Sequence, residues 1–172
     1  SRVQGTALFP ADFILVAALN PYRGKEDGTT DLGRAMEETY RGKISGPILD
    51  RIDLWIEVPH VAYQTLANLE RKEGETKAAR TLIATAREKQ NRRLKGRGID
   101  SNAAMTSRDI DYCIKISEEV SDLLKASSAK LNLSPRGYHR LIKVARTIAD
   151  LDNSEDIANS HVLEALQYRT PQ

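Results

Sequence analysis

The chain has 172 residues, of which 40% are hydrophobic and 29% are charged, a balance typical of ordinary globular proteins. Its formal net charge of +2 is too small to imply a nucleic-acid partner by itself. No apolar run approaches the roughly 20 residues needed to cross a bilayer, and the single cysteine, Cys113, excludes an internal disulfide. These features predict a cytoplasmic protein without a membrane partner.

Residues 1–59 have the pattern of two strands separated by a polar loop. The run from Phe13 to Leu19 is apolar at every position and stops at Asn20, which precedes a proline; this is typical of a strand covered on both faces. Alternate positions of residues 52–58 are aliphatic, which predicts a second strand with one buried face. The glycine-containing loop between them has room for a short helix over residues 32–40.

From His60 onward the pattern is helical. It predicts one helix over residues 61–70 and a longer one from Glu75 to Lys95, ended by a Gly-Arg-Gly sequence. Four more helices are predicted to begin after the capping residues Thr106, Ser117, Ser134 and Ser160. Asp109 is placed to complete a capping box with Thr106, and Pro135 occupies the first position of the helix after Ser134.

The helix after Pro135 has an apolar side and a basic side. At 100° per residue, its basic side is predicted to carry Arg136, His139, Arg140, Lys143 and Arg146. Such a stripe is usually a solvated face, and periodicity favours that interpretation. The alternative is a phosphate-binding face, on which Arg136 is favoured because the first helical turn also offers free backbone N–H groups.

Motifs for complete active sites are absent from the sequence. It has no GxxxxGK[ST] loop to hold phosphates and no nucleophile elbow. Its three histidines, at positions 60, 139 and 161, are too far apart to show zinc-ligand spacing, so no metal site is predicted. Taken alone, the residues therefore predict an α-rich domain attached to a two-strand fragment.

Several segments, in this order, resemble the C-terminal part of the magnesium-chelatase-like AAA+ ATPases of the YifB/ComM type. They are FPADFILVAALNP, RGKISGPILDRIDLWIEVP, ATAREKQNRRL, LSPRGYHRLIKVARTIADL and SEDIANSHVLEALQYR. The resemblance covers nearly the whole chain and is weakest over residues 22–39 and 60–75. It implies a mainly α fold, in which residues 1–59 are a two-strand α/β remnant of the P-loop core and residues 60–172 are the helical lid domain.

The resemblance also assigns three catalytic residues. Asn20 matches sensor 1, which orients the attacking water, although Asn-Pro is also a common strand stop. Arg51 matches the arginine finger, which stabilises charge on the phosphoryl group in a neighbouring subunit, although a local pair with Asp50 or Asp53 is the ordinary alternative. Arg136 matches sensor 2, the lid arginine that contacts the phosphates of ATP.

The resemblance implies an ATP hydrolase that uses Mg²⁺ and assembles into a homo-oligomeric ring, expected to be a hexamer. Both Walker motifs would lie before Ser1, so this chain alone is predicted to be inactive and to bind neither ATP nor Mg²⁺. The relatives' cysteine-rich insert after Asn-Pro is missing here, because Tyr22 follows Pro21 and no cysteine precedes Cys113.

Three hypotheses for the function remain open at this point. The first is an ATPase motor that remodels DNA by branch migration, with Arg2, Arg140 and Lys143 as candidate DNA contacts. The second is a free-standing helical interaction module with a basic surface and no nucleotide chemistry. The third keeps the motor but gives it a metal-inserting, chelatase-type client in place of DNA.

Overall fold

A computed structural model describes residues 13–18, 51–56, 58 and 74–169. The chain divides into two compact units, Ser1–Ser45 and Gly46–Gln172. Residues 13–18 belong to the first unit, and all other described residues belong to the second.

The described part of the second unit is mainly helical from residue 74 onward. Its elements are α1 (Glu75–Arg93), a 3₁₀ turn (Asn102–Ala104), α2 (Ser107–Cys113), α3 (Glu118–Lys130), α4 (Pro135–Leu151) and α5 (Asn159–Gln167). The mainly α fold is confirmed for these residues. None of the helices described here is long and apolar enough to cross a membrane.

Local capping signals set the starts of α2, α3 and α4. The Thr106 hydroxyl accepts the N–H of Asp109 at 3.3 Å, and the Asp109 carboxylate accepts the N–H of Thr106 at 2.8 Å, so the predicted capping box is confirmed. Ser117 and Ser134 each accept the backbone N–H three residues further on, at 3.3 and 3.0 Å. Pro135 is the first residue of α4, as predicted.

The start of α5 differs from the prediction. Ser160 does not cap it; the helix begins at Asn159 after Ala158, and the Ala158 N–H donates to Nδ1 of His161 at 3.0 Å. Because Nδ1 accepts a hydrogen bond, the ring proton lies on Nε2, which is 3.2 Å from a carboxylate oxygen of Asp152. The imidazole of His161, at the third helical position, therefore binds the backbone N–H of the residue before the helix, whereas no side chain among the described residues caps the first-turn N–H groups of α5.

Helix α4 lies at the centre of the unit and packs against α1, α2, α5 and the 3₁₀ turn. Leu141, Ala145 and Ala149 of α4 are completely buried. They belong to a continuous apolar core that also includes Leu124 of α3 and Val162 of α5. Burial of such side chains stabilises the fold by about 1.5–3 kcal/mol each for the larger ones.

The predicted strands find no support among the described residues. Neither residues 13–18 nor residues 51–56 form a strand, and Phe13, Ile14 and Val16 are 73–92% exposed. A strand requires backbone pairing with a neighbour, so an apolar or alternating pattern is not sufficient to create one. Asn20, Arg2 and the predicted helices over residues 32–40 and 61–70 lie outside the described residues.

Candidate functional site

A groove of about 420 Å³ runs between the beginning of α4 and the beginning of α2. The residues that line it are Met105, Ser107, Pro135, Arg136, His139, Arg140 and Lys143. Four of these seven carry the basic side chains that the sequence predicted for one side of α4. The structure therefore brings most of the predicted basic face together on one concave surface, which we call the basic groove.

Arg136 is exposed in the first turn of α4, at the edge of the basic groove. Its position follows from the local sequence, because Ser134 and Pro135 fix the start of the helix immediately before it. The amino-terminal end of a helix carries partial positive charge from its backbone N–H groups. A cationic side chain at this end adds to that charge, so the arrangement fits an anionic group such as a phosphate.

Arg140 lies one helical turn beyond Arg136, and its guanidinium is engaged by an acidic side chain. Its Nη1 atom is 3.4 Å from Oδ1 of Asp53, which belongs to the segment before the helices. The Arg140 side chain is 20% exposed and the Asp53 side chain is 58% exposed. The pair therefore bridges residues 51–56 and α4 at the rim of the groove.

Lys143 lies one turn further along the same side of α4. Its ammonium donates a hydrogen bond to the Ala103 carbonyl of the 3₁₀ turn at 2.9 Å. Partial burial lowers the pKa of Lys143, and the charge of Asp53 opposes that shift while the charge of Arg140 adds to it. Both predicted DNA-contacting residues that the structure describes, Arg140 and Lys143, thus already have partners within the chain.

Arg51 is exposed and lies two residues before Asp53. The segment that contains it is attached to the helices at a second point, because the Trp55 N–H donates to the Tyr168 carbonyl at 2.8 Å. Trp55 is half-buried, whereas Arg51 remains on the surface. Arg51 therefore lies on the surface, in a segment that contacts the helices at two points.

Arg146 was predicted on the basic face, and this prediction was wrong. The residue is only 3% exposed. Its Nε donates to Asp150 at 3.2 Å, and its Nη1 and Nη2 donate to the carbonyls of Glu155 and Ser154 at 2.7 and 2.8 Å. The reason is that α4 is covered by neighbours on several sides, so its buried surface is wider than its apolar stripe. Burial lowers the pKa of Arg146, and the charge of Asp150 opposes this.

Asp150 is the centre of a buried polar cluster that the sequence pattern did not indicate. The carboxylate is completely buried and accepts hydrogen bonds from Arg93 of α1, from Arg146, and from the side-chain amide of Asn102 at 2.9 Å. Arg93 also donates to the Asn102 side-chain oxygen at 3.0 Å. The spacing of Arg146 and Asp150, four residues apart on one helix, was the only local signal of this pairing.

Two family models match the chain, and together they cover almost all of it. The model described as magnesium chelatase, subunit ChlI C-terminal, matches residues 73–169. The model described as magnesium chelatase, subunit ChlI, matches residues 1–66. The chain belongs to the magnesium chelatase subunit ChlI family. The helices and the basic groove lie within the C-terminal match, and Arg51 lies within the other.

Relatives of known sequence place the chain in the branch that its motifs resemble. It is 40% identical to competence protein ComM of Haemophilus influenzae, over 98% of this chain and 33% of ComM. It is 35% identical to the uncharacterized protein YifB of Escherichia coli and 34% identical to that of Salmonella typhimurium, over the same share of each. The chain thus spans about one third of the curated relatives that it matches. The resemblance to the YifB/ComM type is confirmed.

Proposed function

We propose that this chain is the sensor-and-lid portion of a cytoplasmic, ring-forming AAA+ ATPase of the magnesium-chelatase-like family. The observation that carries the proposal is the exposed Arg136 at the start of α4, on the rim of a groove lined by three further basic side chains. A polyanion such as the triphosphate of ATP is the ligand that such a surface attracts. Membership of the family supports the same assignment.

Each proposed catalytic residue supplies one interaction. Arg136 contacts the phosphates of ATP bound in its own subunit, while Arg51 reaches the ATP of a neighbouring subunit and stabilises the charge that develops on the transferring phosphoryl group. Asn20, which lies outside the described residues, orients the attacking water through an amide that can both donate and accept. The proposed assembly is a homo-oligomeric ring, with a hexamer as the expected size.

Mg²⁺ does not fit the residues described here. The basic groove offers cationic side chains, whereas Mg²⁺ takes oxygen ligands such as carboxylates. The described residues also contain no group of three or more His, Cys, Asp or Glu that could hold a metal ion. In the complete protein, the metal would be held by residues outside this groove. We expect the isolated chain to show no ATP hydrolysis, because its sequence has no GxxxxGK[ST] loop to hold the phosphates.

ATP turnover by the complete protein tests the proposal. Arg51→Ala is expected to lower turnover by about 10³-fold or more, the size of effect known for arginine fingers. Arg136→Ala is expected to lower it strongly as well, because the phosphates lose a charged contact. Arg80→Ala is the matched control, since it removes an exposed arginine of α1 outside the groove and should leave turnover unchanged. Wild-type turnover in both site variants would contradict the proposal.

For the client, we propose DNA, remodelled by branch migration. The relative from Haemophilus influenzae is named a competence protein, which supports a DNA client over a metal-inserting one. Arg2, Arg140 and Lys143 are the proposed contacts. Lys143 would exchange the Ala103 carbonyl for a DNA phosphate, and the guanidinium of Arg140 has further N–H donors that can bind a phosphate while it remains paired with Asp53.

A further inference from the structure

We propose that Asp53 is a positioning residue, which couples the segment that carries Arg51 to helix α4 through its ion pair with Arg140. This inference rests on the proposed function, because it concerns how the two arginines of that function communicate. Arg51 would act on the ATP of a neighbouring subunit, and Arg136 on the ATP of its own. The Asp53–Arg140 pair joins the parts of the chain that carry them.

The geometry of the pair supports this role. Nη1 of Arg140 lies 3.4 Å from Oδ1 of Asp53, within the distance of an ion pair. On α4, Arg140 follows Arg136 by four residues, so the two side chains are neighbours on the same side of the helix. On the other segment, Asp53 follows Arg51 by two residues.

A second contact attaches residues 51–56 to the helices. The Trp55 N–H donates to the carbonyl of Tyr168, the residue that follows α5, at 2.8 Å. Asp53 therefore holds the segment to α4, and Trp55 holds it to the end of α5. A chain fixed at two points has few conformations, so the backbone beside Arg51 is placed by the helices rather than by its own preferences.

The consequence is a mechanical connection between two nucleotide sites. A shift of α4 that accompanies contact between Arg136 and phosphate would move Arg140 and, through Asp53, the segment that carries Arg51. The pair is partly exposed, so its effect is modest in size. We expect it to adjust the rate of the neighbouring site rather than to decide whether that site functions.

Steady-state ATP hydrolysis by the complete protein, with Asp53→Ala, tests the coupling. We expect kcat to fall about two- to fivefold, the range of an exposed ion pair, with KM for ATP unchanged because Asp53 does not contact the nucleotide of its own subunit. The conservative variant Asp53→Glu keeps the carboxylate and should restore at least half of the kcat that Asp53→Ala loses. The midpoint of thermal unfolding should stay at its wild-type value in Asp53→Ala.

Asp122→Ala is the matched control, because it breaks another exposed ion pair, 3.1 Å from Lys125 on α3, away from both arginines. Its kcat should equal that of the wild type. The double variant Arg51→Lys with Asp53→Ala tests whether Asp53 acts through Arg51. If it does, kcat of the double variant should be only slightly lower than that of Arg51→Lys alone.

The inference is overturned if Asp53→Ala has wild-type kcat, if its loss adds fully to that of Arg51→Lys, or if a lower unfolding midpoint accompanies an unrescued loss. These outcomes differ from failure of the proposed function. If Arg51→Ala and Arg136→Ala leave turnover intact, the proposed function is wrong. If those variants lose turnover while Asp53→Ala does not, only the coupling is wrong.

Discussion

Arg146 and Asp150 lie one turn apart on α4 and form an ion pair that is almost completely removed from solvent. The Nε of Arg146 is 3.2 Å from Oδ1 of Asp150, and the two residues are 3% and 0% exposed. Burial of charge is costly unless each group is paired and its remaining hydrogen bonds are satisfied. Both conditions are met, because Arg93 and Asn102 also bind the carboxylate and two backbone carbonyls accept from Arg146.

Asp150→Asn should destabilise the chain by about 3–5 kcal/mol, because it leaves the buried Arg146 and the partly buried Arg93 without their counter-charge. Denaturant unfolding followed by circular dichroism measures the loss. Asp122→Asn provides the control, since that residue belongs to an exposed pair and should change stability by less than about 0.5 kcal/mol. Equal small losses in both variants would contradict a stabilising role for the buried cluster.

The Asp109 carboxylate makes stability depend on pH in acid. Hydrogen bonds from the hydroxyl and the N–H of Thr106, and from Arg97, lower the pKa of Asp109 from the ordinary 3.8 to about 2. Between pH 3.8 and about 2, Asp109 is therefore protonated more often in the unfolded chain than in the folded one. The stabilisation by the Asp109 carboxylate is complete above pH 3.8 and is lost as the pH falls towards 2. Asp109→Asn should show a shallower fall in unfolding free energy than the wild type over pH 5 to about 2. Identical slopes would show that Asp109 does not contribute.

At the start of α5, Ser160, the predicted cap, can be compared with His161, which accepts the Ala158 N–H. His161→Ala should lower the free energy of unfolding by at least about 1 kcal/mol, because the Ala158 N–H loses its acceptor and a buried ring is removed. Ser160→Ala should cost less than about 0.5 kcal/mol, since Ser160 is exposed and does not cap the helix. Thermal or denaturant unfolding of both variants measures the difference. A larger loss in Ser160→Ala would reverse the assignment.

Salt dependence distinguishes a DNA client from other clients of the proposed motor. Affinity of the complete protein for forked DNA should fall linearly on a log–log plot of binding constant against salt. Arg140→Ala and Lys143→Ala should each reduce the slope by about one if each side chain neutralises one phosphate. Arg80→Glu on α1 serves as a control for general charge, and an equal change in slope there would remove the specific assignment.

The starts of α2, α3 and α4 could be predicted from sequence. Thr106 with Asp109, Ser117, and Ser134 with Pro135 all lie within four residues of the backbone groups that they bind, so spacing alone revealed them. Residues of α5 show the limit of this reasoning. Ser160 was predicted to cap α5 but lies inside the helix, which begins after Ala158. The contact at this helix start is made by His161, which accepts the Ala158 N–H and also contacts Asp152, nine residues away.

Contacts between distant residues could not be predicted in the same way. Asp150 binds Arg93 and Asn102, which are 57 and 48 residues away in sequence. Periodicity placed Arg146 on a solvated side because it describes one helix without its neighbours, and α4 has neighbours on several sides. Among the predicted site residues, Arg136, Arg140 and Lys143 lie together in the basic groove. The sequence predicted this proximity because their spacing puts them on one side of a single helix.

Solvent exposure decreases along helix α1 from its beginning to its end. Residues 75–85 are exposed throughout, and burial begins only at Ala86, while Gly74 offers no side chain to cap the first turn. Eleven residues are too few for a stable helix in water unless one end is anchored. Amide hydrogens along α1 should therefore exchange with deuterium fastest near Glu75 and slowest near Arg93, so that a single helix reports fraying and global unfolding at its two ends.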